Sequence, residues 1–186
     1  MSIFGTVGLA GSGKGELAAV AREKGIPVVT MGDVIRQACR DRGLDPADNH
    51  GTVAKALRAE DGPAAIAERS LPLVREAVDD SDVVVVDGLR SMVEVEVFRE
   101  AFGEEFEIVS IEAPFELRAE RLAERGRDAS DADLEAVRAR DERELEFGMG
   151  DVMAAADYRI ENVDTLDSFR ARVHELLASP NPSSSQ

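Results

Sequence analysis

Apolar residues in this chain follow two patterns, which are short continuous runs and longer segments with helical spacing. The clearest run is 83–86, four consecutive valines that are too few for a helix and typical of a strand buried on both faces of a parallel sheet. Similar runs predict further strands at 3–8, 26–30, 106–111 and 158–161.

Between these runs, apolar residues recur at intervals of three and four, as Leu17, Val20 and Ala21 do, which indicates helices. Gly25 and Gly126 follow two of them and are typical terminators. The predicted helices are 16–24, 32–42, 50–60, 62–79, 92–102, 114–125, 130–147 and 166–178. Strands that alternate with helices predict one α/β domain, 1–178, with a five-stranded parallel sheet and helices on both faces.

Two segments interrupt this alternation, and we expect both to cover a site. The first, 41–70, is predicted to form acceptor-side helices, and the second, 126–150, a short lid and the helix that follows it. The last residues, 179–186, are rich in Ser and Pro and are predicted to be a disordered tail.

Charge changes this picture, because 38 acidic residues against 22 basic ones give a net charge of -16. Such a surface argues against binding to nucleic acids or membranes, which are themselves polyanions. With only three lysines it favours a halophile's cytoplasm, although a mesophilic acidic protein has the same signature.

No apolar stretch approaches the roughly 20 residues that span a bilayer, and no secretory signal is visible.

The first predicted strand runs into a glycine-rich loop that predicts ATP binding. The loop reads Gly8-Leu9-Ala10-Gly11-Ser12-Gly13-Lys14-Gly15. Its spacing is that of a Walker A loop, except that Gly15 replaces the usual Ser or Thr. Glycines let successive backbone N–H groups curl around a polyphosphate, the following helix adds its positive end, and Lys14 neutralises the β- and γ-phosphates.

Two carboxylates near this loop are candidate magnesium ligands. Asp87 closes the strand of valines, where a Walker B acid holds Mg²⁺ or its water, although it could also be a turn residue before Gly88. Glu16 lies in the first helical turn after the loop, where it either complements the helix dipole or contacts Mg²⁺.

Arginines are the candidate ligands for the other phosphate. Loops after the first three strands bring Lys14, Arg36 and Arg90 to one crevice, since ligands of parallel sheets bind at the carboxyl ends of the strands. The arginine fork fits phosphate oxygens, but both side chains could instead pair with nearby carboxylates.

Three segments together carry a resemblance to a known family. They are the loop itself, Ile26-Pro27-Val28-Val29-Thr30-Met31-Gly32-Asp33-Val34-Ile35-Arg36, and Val86-Asp87-Gly88-Leu89-Arg90-Ser91. The chain resembles the nucleoside monophosphate kinase superfamily, in its adenylate kinase and dephospho-CoA kinase branch, and looks closest to an archaeal P-loop family related to both. Met31 stands where adenylate kinases have Thr, and the last segment lacks their Phe and Pro.

The resemblance implies further roles. In adenylate kinases the second segment holds the acceptor, which implies that Asp33 and Arg36 do so here. In dephospho-CoA kinases an Asp after the second strand is the base, so Asp33 is either a base or only a helix cap. Lid arginines of such kinases neutralise the transferred phosphoryl group. The residues that this implies here are Arg121, Arg125 and Arg127, with Arg118, Arg140 and Arg143 as further candidates.

Ion pairing with Glu116, Glu120 and Glu124 is the alternative for the arginines of the lid-side helix, whose positions 118, 121 and 125 share a face. The resemblance also implies that adenine lies near Arg121 and the backbone of Asn162 and Val163. No role is predicted for the lone cysteine or for the two histidines, Cys39, His50 and His174.

Together these features predict a kinase that uses ATP and Mg²⁺ to phosphorylate a small phosphorylated acceptor, such as a nucleotide or a nucleotide-like cofactor precursor. A nucleotide-dependent regulator or slow ATPase without such an acceptor remains an alternative, as does a nucleotide-binding module without turnover. The sequence predicts neither the acceptor's identity nor the oligomeric state.

Overall fold

Five parallel strands form the centre of the protein, as predicted. The computed structural model describes residues 1–126 and 133–178. The strands are β1 (Ser2–Val7), β2 (Val28–Thr30), β3 (Val83–Asp87), β4 (Phe106–Glu112) and β5 (Tyr158–Glu161). Their order in the sheet is β2-β3-β1-β4-β5, so the loop after the central β1 lies between those after β3 and β4.

Helices connect the strands across both faces of the sheet. They are α1 (Lys14–Glu23), α2 (Met31–Asp41), α3 (Pro46–Asp61), α4 (Ala65–Asp80), α5 (Met92–Phe102), α6 (Phe115–Arg125), α7 (Leu134–Glu144), α8 (Gly150–Ala154) and α9 (Leu166–Ala178). In the described ranges, no helix is long and apolar enough to cross a bilayer.

The sheet separates two hydrophobic cores. On one face, Leu17 of α1 and Phe169 of α9 pack with Phe4 and Ile111 of the sheet. On the other face, α2 to α5 and α8 cover residues such as Ile3. Because every residue of β1 is buried, its carboxyl end is held rigidly, and the loop that follows has a fixed base.

Segment 41–70 contributes to the core instead of standing apart from it. Val53 and Leu57 of α3 and Ile66 of α4 are buried in the same cluster as Ile3. The segment therefore packs as an integral layer on one face, and its role as a cover over the site stays a prediction.

The predicted helix 130–147 begins later than expected, at Leu134. Asp133 caps α7 by accepting from the backbone N–H groups of Glu135 and Ala136, and the predicted caps at 130 and 131 lie outside the described residues. Beyond α7, residues 145–149 form a π-helical segment in which Gly148 has φ 119°. A glycine tolerates that left-handed conformation, so the chain turns there and restarts as α8. The predicted tail, 179–186, also lies outside the described residues.

Candidate functional site

The glycine-rich loop between β1 and α1 is so closely surrounded that several of its positions accommodate only glycine. Gly11 has φ 79° and Gly13 has φ 119°, both in the left-handed region. A Cβ atom at Gly11 would lie 2.7 Å from the carbonyl oxygen of Arg118, and one at Gly13 would lie 2.5 Å from Nδ2 of Asn162. These contacts hold the loop at the amino end of α1, where backbone N–H groups and the helix dipole attract anions.

Lys14 is the first residue of α1, and its side chain folds back over the glycine-rich loop. Its ammonium donates to the carbonyl oxygen of Gly8 and, at 3.4 Å, to that of Leu9. Burial lowers the pKa of Lys14 to about 8, against the opposing effect of the Asp87 carboxylate, and Arg90 lowers it further. A bound polyphosphate would raise this pKa again, because anions favour the ammonium form.

Asp87 ends β3 opposite Thr6 of β1 and accepts a hydrogen bond of 2.7 Å from the Thr6 hydroxyl. This bond fixes the carboxylate at the carboxyl edge of the sheet, within electrostatic range of Lys14. No cluster of three metal-ligating side chains occurs in the part of the chain that is described. Magnesium sites do not require one, since Mg²⁺ is commonly held by one or two carboxylates together with substrate phosphates. Asp87 fits that pattern.

Glu16 has a different partner. Its carboxylate accepts from Arg170 of α9, and the same guanidinium also binds Glu23. These ion pairs fasten α9 to α1, and Gly15, beside Glu16, has no side-chain oxygen to offer. The magnesium role of Glu16 stays a prediction, and Asp87 is the carboxylate with the largest effect on the pKa of Lys14.

Arg90 lies beside the loop, where its Nη1 donates to Oε1 of Glu144 at 2.9 Å. Lys14, Arg90 and Glu144 line one small cavity of about 80 Å³, together with Arg140. Lys14, predicted to bind the phosphates of ATP, and Arg90, predicted to bind the acceptor, therefore line the same cavity, and so does the carboxylate of Glu144. Sequence reasoning missed Glu144, which lies 54 residues from its partner.

Glu94 positions the backbone of Arg90. It is 1% exposed, accepts from the Arg90 backbone N–H at 2.8 Å, and pairs with Arg58 at 3.3 Å. Burial raises the pKa of this carboxyl, and both of those donors oppose the rise. Sequence reasoning missed Glu94 as well, although Ser91 with a Glu three residues later matches the capping-box pattern that marks a helix start.

Arg36 and Asp33 bind each other. Arg36 Nη2 and Asp33 Oδ1 are 2.6 Å apart on the exposed side of α2. The expectation that Asp33 caps this helix is wrong, because α2 begins two residues earlier, at Met31, with Thr30 in the cap position. Asp33 lies in the first turn, where its charge complements the helix dipole.

Arg118 is part of the scaffold. It is 4% exposed and binds Asp141 of α7 through both guanidinium ends, at 2.6 and 3.1 Å. It also donates to the carbonyl oxygens of Ala10 and Ala113, each at 3.0 Å. Its ion-pair partner is thus not one of the predicted glutamates of α6, and the side chain joins α6, α7 and the glycine-rich loop.

Arg121 joins the same loop through Asn162. Its Nη2 donates to the Asn162 carbonyl at 2.9 Å, and Asn162 Nδ2 donates to the carbonyl of Ser12 at 2.8 Å. Nη1 of Arg121 is buried and has no hydrogen-bond partner among the described residues. Arg121 and Asn162, predicted to lie near adenine, are therefore in contact with each other.

The other predicted lid residues lie on α6, on α7 and between these helices. Arg125 ends α6 and Arg143 lies on α7, both exposed, and Arg140 lines the small cavity. Arg127 lies outside the described residues.

A larger cavity of about 360 Å³ adjoins the loop on the β4 side. Leu9, Pro114, Met153 and Val163 supply apolar walls, and Ser12 is also part of its lining. The Ser12 hydroxyl is buried without a hydrogen-bond partner among the described residues. This cavity is large enough for a nucleobase and includes Val163, one of the residues predicted to contact adenine.

Comparison with known sequences gives consistent matches over most of the chain. A family model described as "AAA domain" matches residues 7–138. A UPF0200 protein of Halobacterium salinarum is 54% identical over 182 residues, covering 98% of this chain and 95% of the relative. A UPF0200 protein of Methanosarcina mazei is 46% identical over 180 residues, covering 96% and 95%.

Comparison with solved structures gives the same fold at low sequence identity. The structure of TT1252 from Thermus thermophilus has a TM-score of 0.65 at 20% identity and covers 95% of this chain and 96% of that one. The shikimate kinase from Bacteroides thetaiotaomicron has a TM-score of 0.55 at 18% identity, with coverages of 96% and 99%. At these identities the likeness is one of fold, here that of the P-loop kinases.

Proposed function

The chain belongs to the AAA domain family and to the archaeal UPF0200 proteins, and from that premise we propose that it transfers the γ-phosphoryl group of ATP to a small phosphorylated acceptor. The acceptor class is a nucleotide or a nucleotide-like cofactor precursor. The proposal rests on one observation, which is that Lys14, Asp87 and Arg90 lie close together at the carboxyl edge of the sheet.

On the donor side, the glycine-rich loop 8–15 and the first turn of α1 would hold the phosphates of ATP. Burial disfavours the charged form of Lys14, and a bound anion would stabilise that form. We therefore expect the phosphates of ATP to bind here in preference to other parts of the acidic surface. Adenine would lie near Arg121 and Asn162.

Magnesium would be held by Asp87 together with the phosphates, and by Glu16 if nucleotide binding draws it from Arg170. When bound, Mg²⁺ neutralises charge on the phosphates and aligns them for in-line transfer. The contribution of this chain is to orient Asp87 through the Thr6 hydroxyl.

On the acceptor side, Asp33, Arg36 and Arg90 would bind the acceptor. Both arginines are held by carboxylates in this structure, Arg36 by Asp33 and Arg90 by Glu144, so they are already oriented and would exchange one anion for another. Arg121, Arg125 and Arg127 would neutralise the transferred group, as positioning and charge neutralisation account for most of the catalysis in phosphoryl transfer.

The setting proposed for this reaction is a salt-rich archaeal cytoplasm. The net charge of -16 and the relative in Halobacterium salinarum support it.

A second candidate is a nucleotide-dependent regulator or slow ATPase that has no small-molecule acceptor. Gly15 favours it, because the loop lacks the hydroxyl that usually binds magnesium and slow turnover would follow. Formation of ADP that depends on an added acceptor separates the two functions.

The test is an ADP-release screen of phosphorylated acceptors with ATP and Mg²⁺ in high-potassium buffer. Lys14→Ala is expected to abolish acceptor-dependent turnover while the fold survives. Lys24→Ala is the matched control, since it removes the same charge from the exposed far end of the same helix and should leave turnover unchanged. Comparable turnover in Lys14→Ala would refute phosphoryl transfer at this site, and acceptor-independent turnover would favour the ATPase.

A further inference from the structure

His50 lies where the acceptor-side arginines converge. The first turn of α2, at the carboxyl end of β2, contains Gly32, and the space beside this glycine is shared by two side chains from different helices. A Cβ atom at Gly32 would lie 3.3 Å from Nη1 of Arg36 and 3.5 Å from Nε2 of His50. The imidazole of α3 and the guanidinium of α2 therefore meet over a backbone position that has no side chain of its own.

Three arginines lie close enough to this imidazole to lower its pKa. They come from three different parts of the fold, Arg36 from α2, Arg58 from α3 and Arg90 from the loop after β3. Three arginines around one imidazole are unusual on a chain with a net charge of -16, and each of them also pairs with a carboxylate. The Nε of Arg58 is also buried without an acceptor among the described residues.

We propose that His50 is a third cationic ligand of the acceptor, binding a phosphomonoester dianion as its imidazolium together with Arg36 and Arg90. The inference rests on the proposed function for the identity of the ligand as an acceptor phosphate. Two guanidinium forks and an imidazolium provide enough donors for the oxygens of a phosphate group, and their summed charge exceeds that of the dianion.

Charge balance explains why a histidine suits this position. Burial, followed by Arg90 and Arg36, lowers the pKa of His50 below its ordinary value, which favours the neutral imidazole in the free protein. A hydrogen bond to the Gly32 backbone opposes this shift, as would the carboxylates that pair with the arginines, Asp33, Glu94 and Glu144.

A dianion placed among these groups reverses the balance, because a nearby negative charge favours the imidazolium. Binding would therefore take up a proton from solvent, which bonds to the free ring nitrogen. A bound phosphate would thus favour the charged ring, and in its absence the neutral ring avoids repulsion from the neighbouring arginines.

The chain contains two histidines, which makes the test direct. We would follow the Cε1–H resonances of both rings by NMR during a pH titration of the full-length protein, with inorganic phosphate, with sulfate, or with potassium chloride at equal ionic strength. Phosphate and sulfate are expected to raise the pKa of His50 by roughly one unit or more relative to chloride. The resonances of His174, on the distant helix α9, should be insensitive to the anion.

Variants identify where the anion binds. The phosphate response of His50 should persist in Lys14→Ala, which disables the loop, and should shrink at least severalfold in the double variant Arg36→Ala, Arg90→Ala. A response that is absent, that chloride reproduces, or that disappears in Lys14→Ala would overturn the proposal.

Affinity gives a second readout. His50→Asn should weaken binding of phosphate roughly tenfold at pH 6 and much less at pH 8, whereas His174→Asn should change neither value. Equal effects of the two substitutions would contradict the role of His50.

These measurements need neither ATP nor turnover, so the two proposals can fail separately. If phosphate shifts the pKa of His50 but no acceptor is phosphorylated by ATP, the anion site is supported and the proposed kinase activity is not. If an acceptor is phosphorylated but neither phosphate nor sulfate shifts the pKa of His50, only the role of His50 is overturned.

Discussion

At the scale of single residues, the protonation of Lys14 gives a pH dependence with a definite sign. Burial lowers its pKa to about 8 in the free protein, while bound phosphates would raise it. Below pH 8 the ammonium is already present, so nucleotide affinity should be nearly constant. Above pH 8, binding must take up a proton, and affinity should fall by up to roughly tenfold per pH unit. Calorimetric titration with ADP from about pH 7 to 9.5 measures this slope.

Lys14→Arg is the control for this slope, because a guanidinium stays charged throughout the range. Its affinity is expected to be lower, since the fork does not fit the loop, but to be flat with pH. An equally steep decline in Lys14→Arg would assign the slope to another group.

Asp33 decides between acceptor chemistries. A phosphate acceptor is already ionised at neutral pH, whereas an alcohol must lose a proton, and general-base help is worth roughly 10²- to 10⁴-fold. We expect Asp33→Asn to lower kcat by at least ~10²-fold if the substrate is an alcohol, and far less if it is a nucleoside monophosphate. Steady-state kinetics on the substrate identified by the acceptor screen distinguish the two.

Stability should barely respond to Asp33→Asn, because Asp33 does not cap α2 and is largely exposed. Asp41→Asn, at the exposed end of the same helix, removes the same charge and should leave kcat unaltered. If Asp33→Asn retains near-wild-type kcat on an alcohol substrate, Asp33 is not the base.

At the scale of elements, α7 and the π-helical segment after it bring a carboxylate into the phosphate site. Asp141 anchors α7 to the loop through Arg118, and Glu144, one turn later, reaches Arg90. A Cβ atom at Gly148 would lie within 3.8 Å of Ser91 and of the Arg90 carbonyl, so the segment packs closely on the same turn. Helix geometry thus places Glu144 where nucleotide phosphates would compete with it.

Glu144→Gln should therefore tighten ADP binding, since it removes a negative charge that occupies Arg90 and acts on Lys14. For a half-exposed pair the expected gain is roughly three- to tenfold. Calorimetry at fixed salt measures it.

Glu142→Gln is the matched control, because it makes the same charge change on the exposed face of the same helix. It should alter the affinity less than about twofold. If Glu144→Gln weakens binding, Glu144 serves to orient Arg90 for the ligand, and competition between the carboxylate and phosphate is refuted.

At the scale of the whole molecule, we expect self-repulsion to lower stability at low salt. A net charge of -16 on 186 residues opposes the compact state at low ionic strength. Salt reduces this repulsion, as the screening length falls from about 10 Å at 0.1 M to about 3 Å at 1 M. We expect the Tm to rise markedly between ~0.1 and ~2 M KCl in thermal unfolding followed by circular dichroism.

Sucrose at matched osmolality separates screening from general exclusion effects, because it strengthens burial without supplying ions. A Tm that does not change with KCl, or that sucrose raises equally, would contradict a folding requirement for salt.

Features that depend on neighbouring residues follow from the sequence alone. The valines of β3 form a buried parallel strand because they are continuous and β-branched, and the glycines of the loop form a tight turn because glycine adopts the left-handed conformation without a steric cost. Gly126 ends α6 in the left-handed conformation for the same local reason. The five parallel strands and the resemblance to an archaeal P-loop family were predicted correctly on this basis.

Which charged groups contact each other depends on the packing of distant segments. Arg90 and Glu144 are 54 residues apart, and Arg118 and Asp141 are 23 apart, so no local pattern connects either pair. His50 reaches Gly32 only because α3 folds back on α2. Such contacts depend on how whole helices pack against the sheet, where burial of apolar side chains far outweighs the energy of any one ion pair. The partner of a surface charge is therefore a consequence of packing, which the order of residues along the chain does not specify.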